Sequence, residues 1–152
     1  MYDDHALSVT KRIGTGLSFV VFPLVFVVAF SVHPGLLHPR LLGPSELILR
    51  ARGGSVLQLA HAAVTLNAAL LVVVALHFMN RLSRTSSAWA GFIGGSLAIL
   101  GALALAADKG ALCLTMSALD DLSATEFQGM MPGLLAIFSK GGWLVLLWGI
   151  LL

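Results

Sequence analysis

The stretch LQLAHAAVTLNAALLVVVALHF, residues 57–78, decides the fold. It holds no Asp, Glu, Lys, Arg, Pro or Gly, and the uncharged segment around it covers residues 54–79. About 20 apolar residues at ~1.5 Å each cross a hydrocarbon layer as an α-helix, whereas strands are far shorter. A run of this length and composition reads as a membrane-spanning helix.

Three further segments fit the same template. Residues 13–32 and 89–107 are uncharged, and residues 132–152 are long enough but carry Lys140 inside. Pro132 suits the first turn of that last span, and a helix begun earlier would be kinked there. Composition agrees with lipid as the solvent. Of 152 residues 58% are hydrophobic and 11% charged, and the mean hydropathy is +0.95. A soluble domain keeps about a quarter of its residues charged. The expected fold is therefore all-α, a single polytopic transmembrane helical bundle of four spans, with a short interfacial helix in each outer loop.

Lys11 and Arg12 before the first apolar run, with Ala29-Phe30-Ser31 behind it, fit a secretory signal loosely. The length of the run and the presence of Met1 favour a retained span. The first loop contains Pro34, Pro39 and Pro44, so helix is expected only over residues 45–52, where Glu46 and Arg50 form an i,i+4 pair. Residues 80–87 make a tight antiparallel hairpin. The last loop holds Asp108, Lys109, Asp120, Asp121 and Glu126, with Ser123 and Glu126 spaced as a capping box.

Basic residues tie between the two sides. Lys11, Arg12, Arg81 and Arg84 face Arg40, Arg50, Arg52 and Lys109. The short hairpin is where the positive-inside bias is strongest, so the N-terminus is placed in the cytoplasm and the protein in the inner (plasma) membrane. A net charge of +2 without a basic stripe gives nucleic acid no surface to bind. Cys113, the single cysteine, can form no internal disulfide, and no metal-ligand pattern exists.

Four groups of residues stand out. Ser87, Gly91, Gly95, Ala98, Ala102 and Ala106 run down one face of the third span as a helix-packing interface, either within the bundle or against another subunit. Phe19, Phe22, Phe26 and Phe30 form an aromatic ridge, which either grips a quinone, carotenoid or porphyrin ring or fills the bundle. Gln58, His61 and Thr65 make a polar stripe that must point inward, with Asn67 on another face. Asp108 and Lys140 are expected to pair near His61 and His33 in a polar intramembrane cluster. His61 with His33 is also the only arrangement that suggests b-type haem. No nucleophile with its base can be assembled, so no enzymatic activity is expected.

The order GTGLSFVVFPLVFVVAFSVHP, then LQLAHAAVTLNAALLVVVALHF, then an Ala/Gly-rich span resembles a broad group of uncharacterised bacterial multispanning membrane proteins. His33-Pro34 and Ala60-His61 carry the resemblance, which implies no reaction. Members often have more than four spans, which implies a shortened chain ending at Leu152. Small multidrug exporters need a Glu in the first span, and residues 13–32 have none. The expected role is an accessory or structural subunit packed against a larger membrane protein complex, the alternative a cofactor- or ligand-binding membrane protein.

Overall fold

The structure, a computed structural model, describes residues 4–32 and 43–152, with the side chains of 4–7, 47, 138–142 and 144 not included. Among the described residues five helices follow one another: α1 (Asp4–Ser31), α2 (Pro44–Ala51), α3 (Ser55–Leu82), α4 (Ala88–Asp120) and α5 (Ala124–Leu151). Three are long and apolar enough to cross a membrane: α1 over Ser8–Ser31, α3 and α4. The long helices form a row, α1 on α3, α3 on α4 and α4 on α5, with the short α2 against α5.

Backbone chemistry sets the ends. Pro44 opens α2, where its missing N–H costs nothing. The α2–α3 turn needs a left-handed residue, and Gly53 supplies it at φ 73°. Ser123 caps α5 reciprocally with Glu126, as the spacing predicts. The Glu46–Arg50 pair also forms, at 2.8 Å.

The α3–α4 hairpin is held by small residues. A Cβ added to Gly91 would come within 2.6 Å of the Leu82 Cβ, and one on Gly95 would overlap the Met79 side chain. In lipid, where apolar burial gives helices no net attraction, such close approach is the main source of contact energy. Ala102 is buried at 1% exposure, Ala98 and Ala106 are half-buried, and Ser87 is exposed. The small-residue face therefore packs onto α3. Of the two expected readings of Gly91 and Gly95, packing within the bundle is the one observed.

One span boundary differs from expectation. α4, the expected third span, does not stop at 107: it runs through Asp108 and Lys109 to Asp120. The two adjacent opposite charges neutralise each other, and the following residues include Ala, Leu and Met, which favour helix. The last helix starts at Ala124, behind the Ser123–Glu126 box, and runs on through Pro132, the earlier start that the box allowed. The last loop shrinks to residues 121–123, and neither Asp108 nor Glu126 lies in it.

α5 runs antiparallel to α4 and is shifted along it. Leu151 and Leu152 lie at Gly101, Trp148 reaches Asp108, and Leu134 and Phe127 pack with Leu119. From Gly101 to Gly91 is ten residues, or about 15 Å of α4 beyond the last residue of α5. The first turns of α5 stand instead in a small apolar core with α2. Ile48, Leu119, Phe127 and Leu134 are each 3% exposed or less there. Ala51, Leu57 and Met116 continue that core toward α3. This cap closes one end of the row, while the α3–α4 hairpin turn marks the other.

Candidate functional site

Polar chemistry collects at three levels of the row. In the α4–α5 seam, Asp108 is 5% exposed. Its Oδ2 accepts from the Lys109 ammonium at 2.8 Å and from the Trp148 indole N–H at 3.2 Å. Lys109 also lies 5.4 Å from the centre of the Trp148 ring. Neighbours on a helix do not normally face each other. Here the indole draws both charges to one side, where cation, carboxylate and ring satisfy one another.

The expected Asp108–Lys140 pair lies outside the described residues, and the partners described for Asp108 are Lys109 and Trp148. Trp148 and Lys140 are eight residues apart on α5, about 12 Å along the helix, and it is Trp148 that meets Asp108. The Lys140 side chain lies outside the described residues, as does all of His33. His61 is buried in α3 at 6% exposure, and its carbonyl accepts from the Thr65 hydroxyl at 2.9 Å. The next described histidine on α3, His77, is sixteen residues away, about 24 Å. That is too far for these two to share a haem iron, and the expected His61–His33 pair lies outside the described residues. Among the described residues no group of three or more His, Cys, Asp or Glu is placed to hold a metal ion.

At the cap end, Gln58 turns toward α4, as a stripe pointing inward requires, and donates to Asp120 Oδ2. The other Asp120 oxygen accepts from the Gly53 N–H at 2.6 Å. Arg52 donates to the Leu122 carbonyl at 2.6 Å and stacks 4.6 Å over the Phe127 ring. These contacts tie the α2–α3 turn to the α4–α5 turn. The Ser123 hydroxyl, then its N–H, hold the exposed Glu126 carboxyl below the usual carboxylate range.

Three rings of the expected Phe ridge lie in series along α1. Phe22 and Phe26 lie 6.0 Å apart, and Phe26 and Phe30 5.0 Å apart, with planes tilted by 30° and 28°. Phe26 and Phe30 are stacked, whereas Phe22 is tilted against Phe26. Phe19 departs from the stack and meets Phe78 edge-on at 5.5 Å and His77 at 6.0 Å. Asn67 reaches across to α1 and donates to the Phe22 carbonyl at 2.8 Å.

Sequence reasoning missed Trp148, Asp120 and Gly101. Two left a signal. A buried indole N–H needs an acceptor, and a carboxylate at a helix C-terminus opposes the dipole and needs donors. Gly101 is isolated in sequence, and only the structure shows Leu151 and Leu152 against it. No family model, curated protein or solved structure matches this chain.

Proposed function

We propose that this chain is a small accessory subunit of the inner membrane, with four crossings and a cytoplasmic N-terminus, that packs against a larger membrane protein complex. The observation that carries this reading is the open row. α1 has α3 as its principal neighbour and α5 has α4 and the short α2, so both outer helices keep a long side available to another subunit. In the α4–α5 seam Asp108, Lys109 and Trp148 are engaged with one another, which suits a structural role.

With the Gly91/Gly95 face taken up by α3, docking falls to the outer helices. On α5, Gly129 and Gly133 are four residues apart, and a Cβ at either would meet nothing within 4 Å. This is the spacing that lets a second helix approach closely. The 28 residues of α5 reach about 42 Å, enough for a fourth crossing. Lys11, Arg12, Arg81 and Arg84 gather at the hairpin end, which supports a cytoplasmic assignment for that end.

The test is purification in mild detergent from the native membrane. Wild-type chain should bring down stoichiometric partners, and Gly133→Leu should release them while the helical content stays the same. Gly95→Leu should instead impair folding, because Met79 occupies that space. A monodisperse chain with no stoichiometric partner would overturn the proposal, as would a Gly133→Leu variant that keeps every partner.

A further inference from the structure

At the hairpin end three hollows meet at Asn80. The first, about 770 Å³, lies between α1 and α3 and is bordered by Lys11, Arg12, Thr15, Phe19 and His77. The second, about 410 Å³, adds Arg81 and Arg84. The third, about 640 Å³, is apolar, walled by Leu76, Met79, Trp89 and Phe92. Each is within the size range of small-ligand sites.

We infer that this end of the row binds the phosphate-bearing headgroup of an anionic phospholipid, with the lipid's hydrocarbon laid in the Leu76–Trp89–Phe92 hollow. Charge decides the headgroup. Lys11, Arg12, Arg81 and Arg84 are all exposed, and among the described residues no carboxylate pairs with any of them. Four like charges held around two joined hollows repel one another, and an anion seated among them relieves that repulsion. Arg supplies paired N–H donors suited to phosphate oxygens. The Thr15 hydroxyl and the Asn80 amide add neutral donors at the same borders.

Shape decides the rest of the ligand. The charged hollows share Asn80 with the apolar one, and the 770 Å³ hollow also shares Leu76 with it. Trp89, 74% exposed, stands beside them, where an indole suits the membrane–water boundary. A free phosphate would leave the apolar hollow unused, whereas a phospholipid matches both parts. Basic clusters beside membrane helices gain about fivefold in anionic-lipid affinity for each Lys or Arg.

The test uses the full chain in a non-ionic detergent, with bound lipid counted by native mass spectrometry. Phosphatidylglycerol and phosphatidylcholine of matched acyl chains are titrated separately at constant ionic strength. Phosphatidylglycerol should bind at least tenfold tighter. Arg81→Gln with Arg84→Gln should weaken it about 25-fold, taking fivefold per cation. The Arg81→Lys, Arg84→Lys pair and Arg50→Gln at the cap end should both keep the preference. Equal binding of the two lipids would overturn the assignment, and so would full preference in the double Gln variant. Displacement of phosphatidylglycerol by millimolar inorganic phosphate would overturn the lipid in favour of a free anion.

Discussion

Replacing Asp108 by Asn removes half of an ion pair whose side chains are 14% exposed at Lys109 and 7% at Asp108. Leaving one charge of such a pair without its partner costs about 3–5 kcal/mol. Asn keeps a carbonyl oxygen for the Trp148 N–H, so that hydrogen bond, about 1 kcal/mol net, survives. The expected loss is therefore about 3 kcal/mol, near the lower end of that range. Removing both charges, as Asp108→Leu with Lys109→Leu, leaves only the indole N–H without an acceptor, a cost of about 1–3 kcal/mol. The double variant should be no less stable than Asp108→Asn, and the two substitutions should be far from additive. Reversible unfolding in mixed micelles, followed by tryptophan fluorescence, measures both. An Asp108→Asn variant within about 0.5 kcal/mol of wild type would refute the view that this pair and Trp148 hold the α4–α5 seam.

Two more outcomes follow from single contacts. Asn67→Leu deletes the bond to the Phe22 carbonyl and should cost about 1 kcal/mol, the usual scale for a polar contact between membrane helices; hydrogen exchange should quicken in α1 and leave α4 unchanged. Because the folded Glu126 carboxyl titrates below its ordinary value, its contribution is complete above that ordinary value and is lost as the pH falls through the lowered one. Glu126→Gln should flatten this acid-side fall in thermal stability, read by circular dichroism from neutral pH downward.

Helix existence was legible because length and the absence of charge are one-dimensional properties. The expected 54–79 span became Ser55–Leu82, the 80–87 hairpin formed, and both local pairs, Glu46–Arg50 and Ser123–Glu126, are present. What escaped depends on groups far apart in sequence. Asp108 looked like a helix end because a carboxylate should leave the apolar layer, and only the Lys109 and Trp148 contacts show how the helix continues past it. The spacing of Gln58 called for a partner inside the bundle without naming it, and that partner, Asp120, is 62 positions away. The Gly91/Gly95 pair signals close packing without naming the helix, and Leu82 and Met79 are what lie against it. The packing of Ile48 on Phe127 left no local trace, since a short helix in a Pro-rich loop looks the same whether it lies on lipid or on protein.

The central claim is that the apolar surface of these helices faces lipid and that α4 passes from one side of a membrane to the other. Leu103, halfway along α4 and 58% exposed, separates lipid from water most directly. In a Cys113→Ala background, single cysteines at Ser83, Leu103 and Asp121 are challenged with an impermeant maleimide in sealed vesicles. The account predicts that Ser83→Cys reacts from one side only, Asp121→Cys from the other only, and Leu103→Cys from neither. Reaction of Leu103→Cys at the rate of Ser83→Cys, or reaction of both end positions from the same side, would contradict it.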